Sequence, residues 1–390
     1  MGSRTVIRSL IALGGLAAMT SLAAMPLYGT GLAAAAPSAG LGSRVVPAVD
    51  MGSGPLVHTI ARPNQPDAFS CQSPTAPDPC YGPAQIRRAY DIPRNLTGAG
   101  ETVVIIDAFR DPTLRGDVSQ FNSTFGLPPT ALNIICVGHC PTFDPTSRDQ
   151  VGWTNETSLD VEWVHAIAPR ATIDLVLAQS DDDGDILSAQ QYVVDHDLGD
   201  VLSQSFGEGE TCMQPAIFSA QHQAFVTASR EGMTVFASAG DFGAGGGGFS
   251  TVYPRPSYQN AAHTGSRFRG VPDVTYDADV YGGVIGVCSE CNFGQRTFAV
   301  FGGTSAGSPQ WAAIAALADQ AAGHRLGLLN PALYAIAAGA HYHAAFHDIT
   351  TGNNSWDVSL FTGYQAGSGW DPASGLGSPN VARLISLLIG

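Results

Sequence analysis

Four short apolar runs between residues 100 and 240 predict the strands of a buried sheet. Their apolar residues follow one another instead of alternating with polar ones, which is typical of strands covered on both faces. The runs are TVVIIDAF (102–109), TIDLVLA (172–178), DVLSQSF (200–206) and MTVFASA (233–239).

Longer stretches between these runs predict helices, at 111–125, 155–168, 186–196 and 218–232. Alternating strands and helices indicate an α/β fold with a mostly parallel central sheet and helices on both faces. Ligands of such open sheets bind at the carboxyl ends of the strands. Polar residues that directly follow an apolar run are therefore candidates for a functional site.

The N-terminal 36 residues have the pattern of a secretory signal peptide. Arg4 and Arg8 precede an apolar run, and small residues at 33–36 suit cleavage near Ala36. A membrane anchor is the alternative, but the run is interrupted and short of a span of ~20 residues. Residues 37–79, rich in Pro, Ala, Ser and Gly, suggest a poorly ordered pro-segment or linker. The folded domain is expected over 80–390, in a protein secreted to the extracellular space.

The composition excludes several kinds of chemistry. The chain has 390 residues, a net charge of −15 and no lysine, since all 18 basic residues are arginine. Schiff-base chemistry, a Ser–Lys dyad and a phosphate-binding P-loop all need lysine. An acidic chain is also a poor partner for nucleic acid.

Seven cysteines occur, six of them in three close pairs. In an oxidising compartment these pairs predict disulfides Cys71–Cys80, Cys136–Cys140 and Cys288–Cys291, leaving Cys212 free. A zinc site built from the second and third pairs is the alternative.

Two segments besides GGTSAGSPQWAA (302–313) carry candidate catalytic groups. In NETSLDVEWVHAIAP (155–169), Glu156 and Asp160 are four residues apart and share a helix face. In VFASAGDFGAGGGG (235–248), Asp241 follows a predicted strand. A solvated pair of carboxylates and a turn aspartate are the respective alternatives.

Ser305 lies just before an alanine-rich helical stretch, where it is either a helix cap or a nucleophile. A nucleophilic serine needs a base, and the histidines lie in unpromising contexts. Asp107 ends an apolar run, as the aspartate of a Ser-His-Asp triad could, but no suitable histidine segment follows.

Together these segments resemble the sedolisin family of serine-carboxyl peptidases, and in particular its secreted actinobacterial members. The resemblance runs from about residue 80 to the end of the chain. Its motifs, in family order, are CYGPAQ (80–85), ETSLD (156–160), SAGD (238–241), GGTSAGSP (302–309), FHDITTGNN (346–354) and GYQAGSGWDPASGLGSPN (363–380).

The resemblance implies a subtilisin-like fold and an acid-active endopeptidase. Ser305 would be the nucleophile, Glu156 its general base, Asp160 the residue that orients Glu156, and Asp241 the oxyanion partner. A carboxylate base must be ionised and a carboxyl donor protonated, and the two states coexist most easily below neutral pH. We expect a monomer that acts on protein or peptide substrates and is not inserted in a membrane once the leader is removed.

The resemblance also implies one structural Ca²⁺ ion near the C-terminus. Its ligands would be the side chains of two aspartates and three backbone carbonyls, from Asp348, Ile349, Gly367, Gly369 and Asp371. Hard oxygen ligands of this kind suit calcium. Without the resemblance, two aspartates among glycines would indicate only turns.

The chain departs from the family pattern in two places. The segment before residue 80 is too short for the family's large pro-domain. SAGDFGAG also runs directly into GGGFS, where the family has a further stretch that includes a strand of the sheet. These departures leave an alternative, a catalytically inactive domain of this fold that binds peptide.

Overall fold

The computed structural model describes residues 9–12, 46–47, 57–61, 69–73, 75–241, 246–279, 281–355 and 363–390. In these ranges the strands are β1 Ser9–Ala12, β2 Val46–Pro47, β3 Val57–Ile60, β4 Thr102–Ala108, β5 Ala131–Cys136, β6 Thr172–Ala178, β7 Val201–Gln204, β8 Phe206–Gly207, β9 Thr234–Ser238, β10 Gly248–Pro254, β11 Phe268–Val271, β12 Val274–Thr275, β13 Val284–Cys288, β14 Thr297–Phe301, β15 Phe346–His347 and β16 Ser378–Pro379. The α-helices are α1 Pro83–Ala89, α2 Leu114–Phe125, α3 Arg148–Ile167, α4 Asp183–Asp195, α5 Pro215–Arg230, α6 Ser308–Ala322, α7 Asn330–Ala338, α8 Tyr342–Ala345 and α9 Val381–Leu388.

The central sheet has the strand order β12-β1-β9-β7-β4-β6-β5. Its five strands from β9 to β5 are parallel to one another, whereas β1 is antiparallel to both β9 and β12. All four strands predicted from apolar runs belong to the parallel part, as β4, β6, β7 and β9. The α/β fold with a mostly parallel sheet is confirmed.

Helices cover both faces of this sheet, and the side chains of β4 show how. Val103 and Ile105 pack in the cluster that includes α3 and α6, whereas Val104 and Ile106 pack in the cluster that includes α4 and α5. Successive side chains of a strand point to opposite faces, so a strand buried on both faces must be apolar throughout. This alternation explains the continuous apolar runs of the sequence.

Helix α3 begins earlier than its apolar stretch predicts. The sequence predicts a helix from residue 155, but α3 starts at Arg148. The side chain of Ser147 accepts a hydrogen bond from the backbone N–H of Gln150, which caps the new N-terminus. The longer helix holds Glu156 and Asp160 in its middle, away from both fraying ends.

The packed unit begins before residue 80, which corrects the boundary drawn from composition. Phe69 is buried and lies edge-on to Phe298, with ring centroids 4.9 Å apart. Strand β3, from the segment expected to be poorly ordered, pairs antiparallel with β14. The predicted disulfides Cys71–Cys80, Cys136–Cys140 and Cys288–Cys291 are all present, and Cys212 is exposed and free.

The predicted leader lies mostly outside the described residues, of which only β1 falls within positions 1–36. Among the helices of the described ranges, none combines the length and apolar character needed to cross a membrane.

Candidate active site

Ser305 lies on a single 3₁₀ turn, Thr304–Ala306, between β14 and helix α6. Its side chain is fully buried, and its Oγ donates to the backbone carbonyl of Ser205 over 3.4 Å. Ser205 directly follows β7. The hydroxyl is therefore held at the carboxyl end of a parallel strand, where ligands of such sheets bind.

Glu156 and Asp160 lie one helical turn apart in the middle of α3, and both are fully buried. Helix α3 packs against α6 and against the turn that holds Ser305. A solvated pair of surface carboxylates, the alternative interpretation of this spacing, is thereby excluded. Burying carboxyl groups is costly unless they are paired or protonated. Helix α3 therefore places two buried carboxyl groups near the turn that holds Ser305, although their burial is unfavourable for the free energy of folding.

Ser205 links the serine to the acids of α3. Its backbone carbonyl accepts from Ser305, while its Oγ donates to Oδ1 of Asp160 over 2.8 Å. Burial raises the pKa of Asp160 well above its ordinary value, and the nearby carboxylates of Asp107 and Glu156 raise it further. The hydrogen bond from Ser205 acts in the opposite direction. The surroundings of Asp160 therefore favour its protonated form relative to an exposed aspartate.

Asp241 reaches the same region from strand β9, through Gly240 with its left-handed φ of 94°. Its Oδ1 accepts from the backbone N–H of Thr304 over 2.6 Å and from the Thr304 hydroxyl over 2.8 Å. The hydroxyl of Thr304 in turn accepts from the N–H of Gly240 over 3.1 Å. Thr304, next to Ser305 in the chain, therefore fixes Asp241 beside the serine turn.

Gly303 is required by both its conformation and its surroundings. Its φ of 87° lies in the left-handed region, and a Cβ built there would overlap Oδ2 of Asp241. If Asp241 is the oxyanion partner that the resemblance implies, Gly303→Ala should displace its carboxyl and lower peptide hydrolysis on the order of 10²-fold or more, as losing an oxyanion donor does. Hydrolysis rates and melting temperatures of the purified variant measure this.

Gly126→Ala is the matched control for that substitution. Gly126 also has a left-handed φ, 65°, but a Cβ at this position would meet no atom of the described residues within 4 Å beyond its own helix and chain neighbours. The control should lose stability on the order of 1 kcal/mol from backbone strain and keep full activity. If both variants lost activity equally, the loss in Gly303→Ala could not be attributed to displacement of the Asp241 carboxyl.

Two residues of the site were not singled out from the sequence as parts of this cluster. Asp107 lies near the end of β4, fully buried, and burial raises its pKa to about 7. Ser205 follows β7. Both come at the carboxyl ends of parallel strands, which is the signal that could have identified them. His165, a buried histidine of helix α3, is hydrogen-bonded to the backbone carbonyl of Pro128 and not to Ser305.

The two loops of the expected calcium site come together. Asp348 Oδ2 accepts from the backbone N–H of Gly369, and Asp371 Oδ2 accepts from that of Gly367, each over 2.9 Å. The second oxygen of Asp348 is buried and accepts no hydrogen bond from the described residues. Those residues contain no cluster of three or more His, Cys, Asp or Glu suited to a metal. Carboxylate and carbonyl oxygens are the ligand types that Ca²⁺ prefers, but both oxygens of Asp371 already accept hydrogen bonds, from the N–H groups of Gly367, Ala373 and Ser374 and from the Ser374 hydroxyl.

Comparisons with known proteins agree with this architecture. No family model matches the chain. Kumamolisin from Bacillus sp. (strain MN-32) is 31% identical over 416 aligned residues, covering 88% of this chain and 71% of kumamolisin. Sedolisin from Pseudomonas sp. (strain 101) is 25% identical, covering 78% of this chain and 60% of sedolisin. Tripeptidyl-peptidase 1 from Dictyostelium discoideum is 24% identical, covering 79% and 58%.

A solved structure gives the same fold. Pseudomonas sedolisin, a serine-carboxyl proteinase complexed with pseudo-iodotyrostatin, superposes with a TM-score of 0.69 at 23% identity, covering 79% of this chain and 97% of the solved one.

The alignment with kumamolisin spans 416 residues, more than the 390 of this chain, so kumamolisin has residues without a counterpart here.

Proposed function

Because the chain belongs to the sedolisin family of serine-carboxyl peptidases, we propose that it is a secreted, acid-active endopeptidase with Ser305 as its nucleophile. The observation that carries this proposal is the joining of three chain segments at one edge of the sheet. Ser205 connects Ser305 to Asp160, and Thr304 connects the serine turn to Asp241.

The reaction follows from the groups present. Ser305 Oγ attacks the carbonyl carbon of the scissile peptide bond, and its proton passes to the carboxylate of Glu156. Asp241, protonated, donates a hydrogen bond to the oxyanion of the tetrahedral intermediate. Glu156 then gives the proton to the leaving amine, and an acyl-enzyme remains on Ser305. Water attacks this ester with Glu156 again as base.

Asp160 is proposed to position the base. Its raised pKa keeps it protonated in mild acid, so it can donate to the carboxylate of Glu156. The charge of the pair then resides on Glu156, the group that accepts the proton of Ser305.

The edge strand beside Ser305 supports the binding of an extended peptide. Strand β8 follows Ser205 directly, and β2 pairs with it antiparallel, Val46 opposite Gly207 and Pro47 opposite Phe206. An exposed strand edge binds an incoming peptide through main-chain hydrogen bonds. We propose that substrates take the place of β2, which comes from the segment before the catalytic domain.

The alternative is an inactive, peptide-binding domain, favoured by the stretch that the family has after Asp241 and this chain lacks. Incubation of the purified protein with casein at about pH 3–5 separates the two proposals. Fragments that increase with time and disappear in a Ser305→Ala variant support the peptidase. A folded protein that leaves casein intact at every pH supports the inactive domain.

Secretion is proposed from the predicted leader and from the three disulfides, since such bonds persist in oxidising compartments.

We also propose that Asp348 and Asp371, with the carbonyls of Ile349, Gly367 and Gly369, bind one Ca²⁺ ion that supports the fold. An ion that binds only the native state stabilises it by about 2.7 kcal/mol at a hundredfold excess over Kd. Adding Ca²⁺ to chelator-treated protein should therefore raise the melting temperature, and Asp348→Asn should remove this response. A melting temperature that neither chelator nor added Ca²⁺ changes would contradict the site.

A further inference from the structure

An N-terminal segment occupies an interior position of the central sheet. Strand β1 lies between β9 and β12 and is antiparallel to both, with Leu10 opposite Ser238 on one side and Val274 on the other. Ile11 and Ala12 continue the pairing with Ala237 and Phe236. Four residues from the beginning of the sequence thus connect two strands that come more than 220 positions later.

The chain between β9 and β12 does not supply a strand for this position. Its described part forms β10 and β11, which pair with each other in a separate sheet. The sheet therefore has an interior position, the β9–β12 slot, that the neighbouring sequence leaves empty.

An empty slot would leave buried backbone groups without partners. Adjacent strands lie about 4.7–4.9 Å apart, so β9 and β12 cannot pair directly across the width of a missing strand. All five residues of β9 and both of β12 are buried. Buried backbone N–H and C=O groups are almost always hydrogen-bonded, so this position has to be filled.

We propose that the β9–β12 slot is a strand-binding site and that its occupant is the chain's own segment Ser9–Ala12. Three of the four residues of the sequence SLIA are apolar, which suits a strand inside a sheet, and Gly14 and Gly15 follow soon after it. Before any cleavage the segment is supplied by the same molecule. If the leader predicted for residues 1–36 is removed, the same segment is retained as a bound peptide.

Occupancy of the slot bears on the candidate site through β9. That strand leads through Gly240 to Asp241, whose carboxyl is fixed by Thr304. Loss of the occupant would remove half of the strand pairing of β9 and loosen the approach to Asp241. The slot itself rests on the fold alone, so its tests are independent of whether the protein cleaves peptides.

A disulfide cross-link tests the pairing in the full chain. The chain is produced without export, so that the leader stays attached, with Cys212→Ser and Ser305→Ala to prevent side reactions. Residues directly opposite in an antiparallel pair have Cβ atoms about 4.5–5.5 Å apart, so Leu10→Cys with Ser238→Cys should cross-link upon mild oxidation. Mass spectrometry of non-reduced peptides detects the bond.

The matched control is Ile11→Cys with Ser238→Cys. A shift of one residue puts the side chain of position 11 on the other face of the sheet, so this pair should stay largely reduced. Cross-linking of the first pair alone supports the proposal. Equal yields for both pairs, or no cross-link in either, would overturn it.

Addition of the segment in trans tests the binding site. The chain 37–390, again with Ser305→Ala, is mixed with a peptide of residues 5–16, or with the same peptide carrying Leu10→Pro and Ile11→Pro. Amide hydrogen exchange at 234–238 is measured in each mixture. The native peptide should slow this exchange manyfold and the proline peptide should not, because proline lacks the N–H that pairs with a neighbouring strand.

A chain 37–390 that folds only when the native peptide is present supports the same conclusion. Exchange at 234–238 that is as slow without peptide as in the full chain, or that responds equally to both peptides, would show that Ser9–Ala12 is not the occupant. If the chain 37–390 folds in neither mixture, the cross-linking result in the full chain decides whether Ser9–Ala12 occupies the slot.

Discussion

Ser305→Ala is expected to lower the rate of peptide hydrolysis roughly 10⁶-fold, the loss found when the nucleophile of a serine peptidase is removed. No neighbouring hydroxyl can substitute for it, because the nearby Ser205 and Thr304 are engaged with Asp160 and Asp241. The melting temperature should change little, since Ser305 Oγ makes only a long hydrogen bond of 3.4 Å. Hydrolysis rates at acid pH and thermal melting measure the two effects.

Ser188→Ala is the control for that variant. Ser188 is an exposed serine of α4, which packs on the face of the sheet opposite α3 and α6. It should keep full activity. Hydrolysis that survives Ser305→Ala would mean that another group, or a contaminating peptidase, performs the reaction.

The stability of the fold should decrease strongly as the pH rises from about 4 to 7. Burial raises the pKa of Asp107 to about 7, of Asp111 to about 6 and of Asp319 to about 7. In the unfolded chain these carboxyls lose their protons near pH 4. Between the two values the native state therefore holds more protons than the unfolded state, and each such group contributes stability that is lost on going towards neutral pH.

The size of this effect follows from linkage. Each extra proton held by the native state changes the free energy of unfolding by about 1.4 kcal/mol per pH unit. Several buried carboxyls act together, so urea unfolding midpoints should be highest in mild acid and fall steeply towards pH 7. An enzyme that needs a protonated Asp241 would then be most stable where it is active.

Asp319→Asn tests whether buried carboxyl groups cause this pH dependence of stability, at a residue outside the candidate site. Asp319 lies in α6, is fully buried, and accepts from the N–H of Leu326 over 2.8 Å. Its replacement should reduce the slope of unfolding free energy against pH by about 1.4 kcal/mol per unit in this range. The exposed Asp195→Asn should leave the slope unchanged. Stability that is constant from pH 4 to 7 would mean that these carboxyls are ionised in the folded protein.

The parallel sheet could be predicted from the sequence because burial on both faces leaves a direct trace. Runs such as 172–178 admit few polar residues, and β6 has the bounds of its apolar run. The strands of two smaller sheets, β10 and β11 in one and β13 and β14 in the other, left a weaker signal. Strand β14 also pairs with β3, a partner far earlier in the sequence.

Within the candidate site, local signals made residues candidates but did not assign their roles. Asp241 follows a strand, Ser305 precedes a buried helix, and Glu156 and Asp160 share a helix face. Only the family resemblance suggested what each would do. The part played by Ser205 could not be predicted, because it depends on two contacts across the fold, with Ser305 and Asp160.

The strand at Ser9–Ala12 could not be predicted for a different reason. A short, mostly apolar segment suits an export leader and a strand equally well, and its pairing with β9 and β12 joins distant parts of the chain. The loops at 348 and 371 carried a signal only through the family resemblance, since aspartates among glycines also form ordinary turns.

The most direct test of the account is kcat/KM for a single peptide substrate from about pH 2.5 to 8, measured for the wild-type protein and for Glu156→Gln. Glutamine has nearly the size of glutamate but cannot accept the proton of Ser305. The proposed mechanism predicts a maximum in acid, a fall towards neutral pH as the carboxyl donor to the oxyanion ionises, and a loss of several orders of magnitude in Glu156→Gln at every pH. A maximum near pH 8, or a Glu156→Gln variant with the wild-type profile, would contradict it.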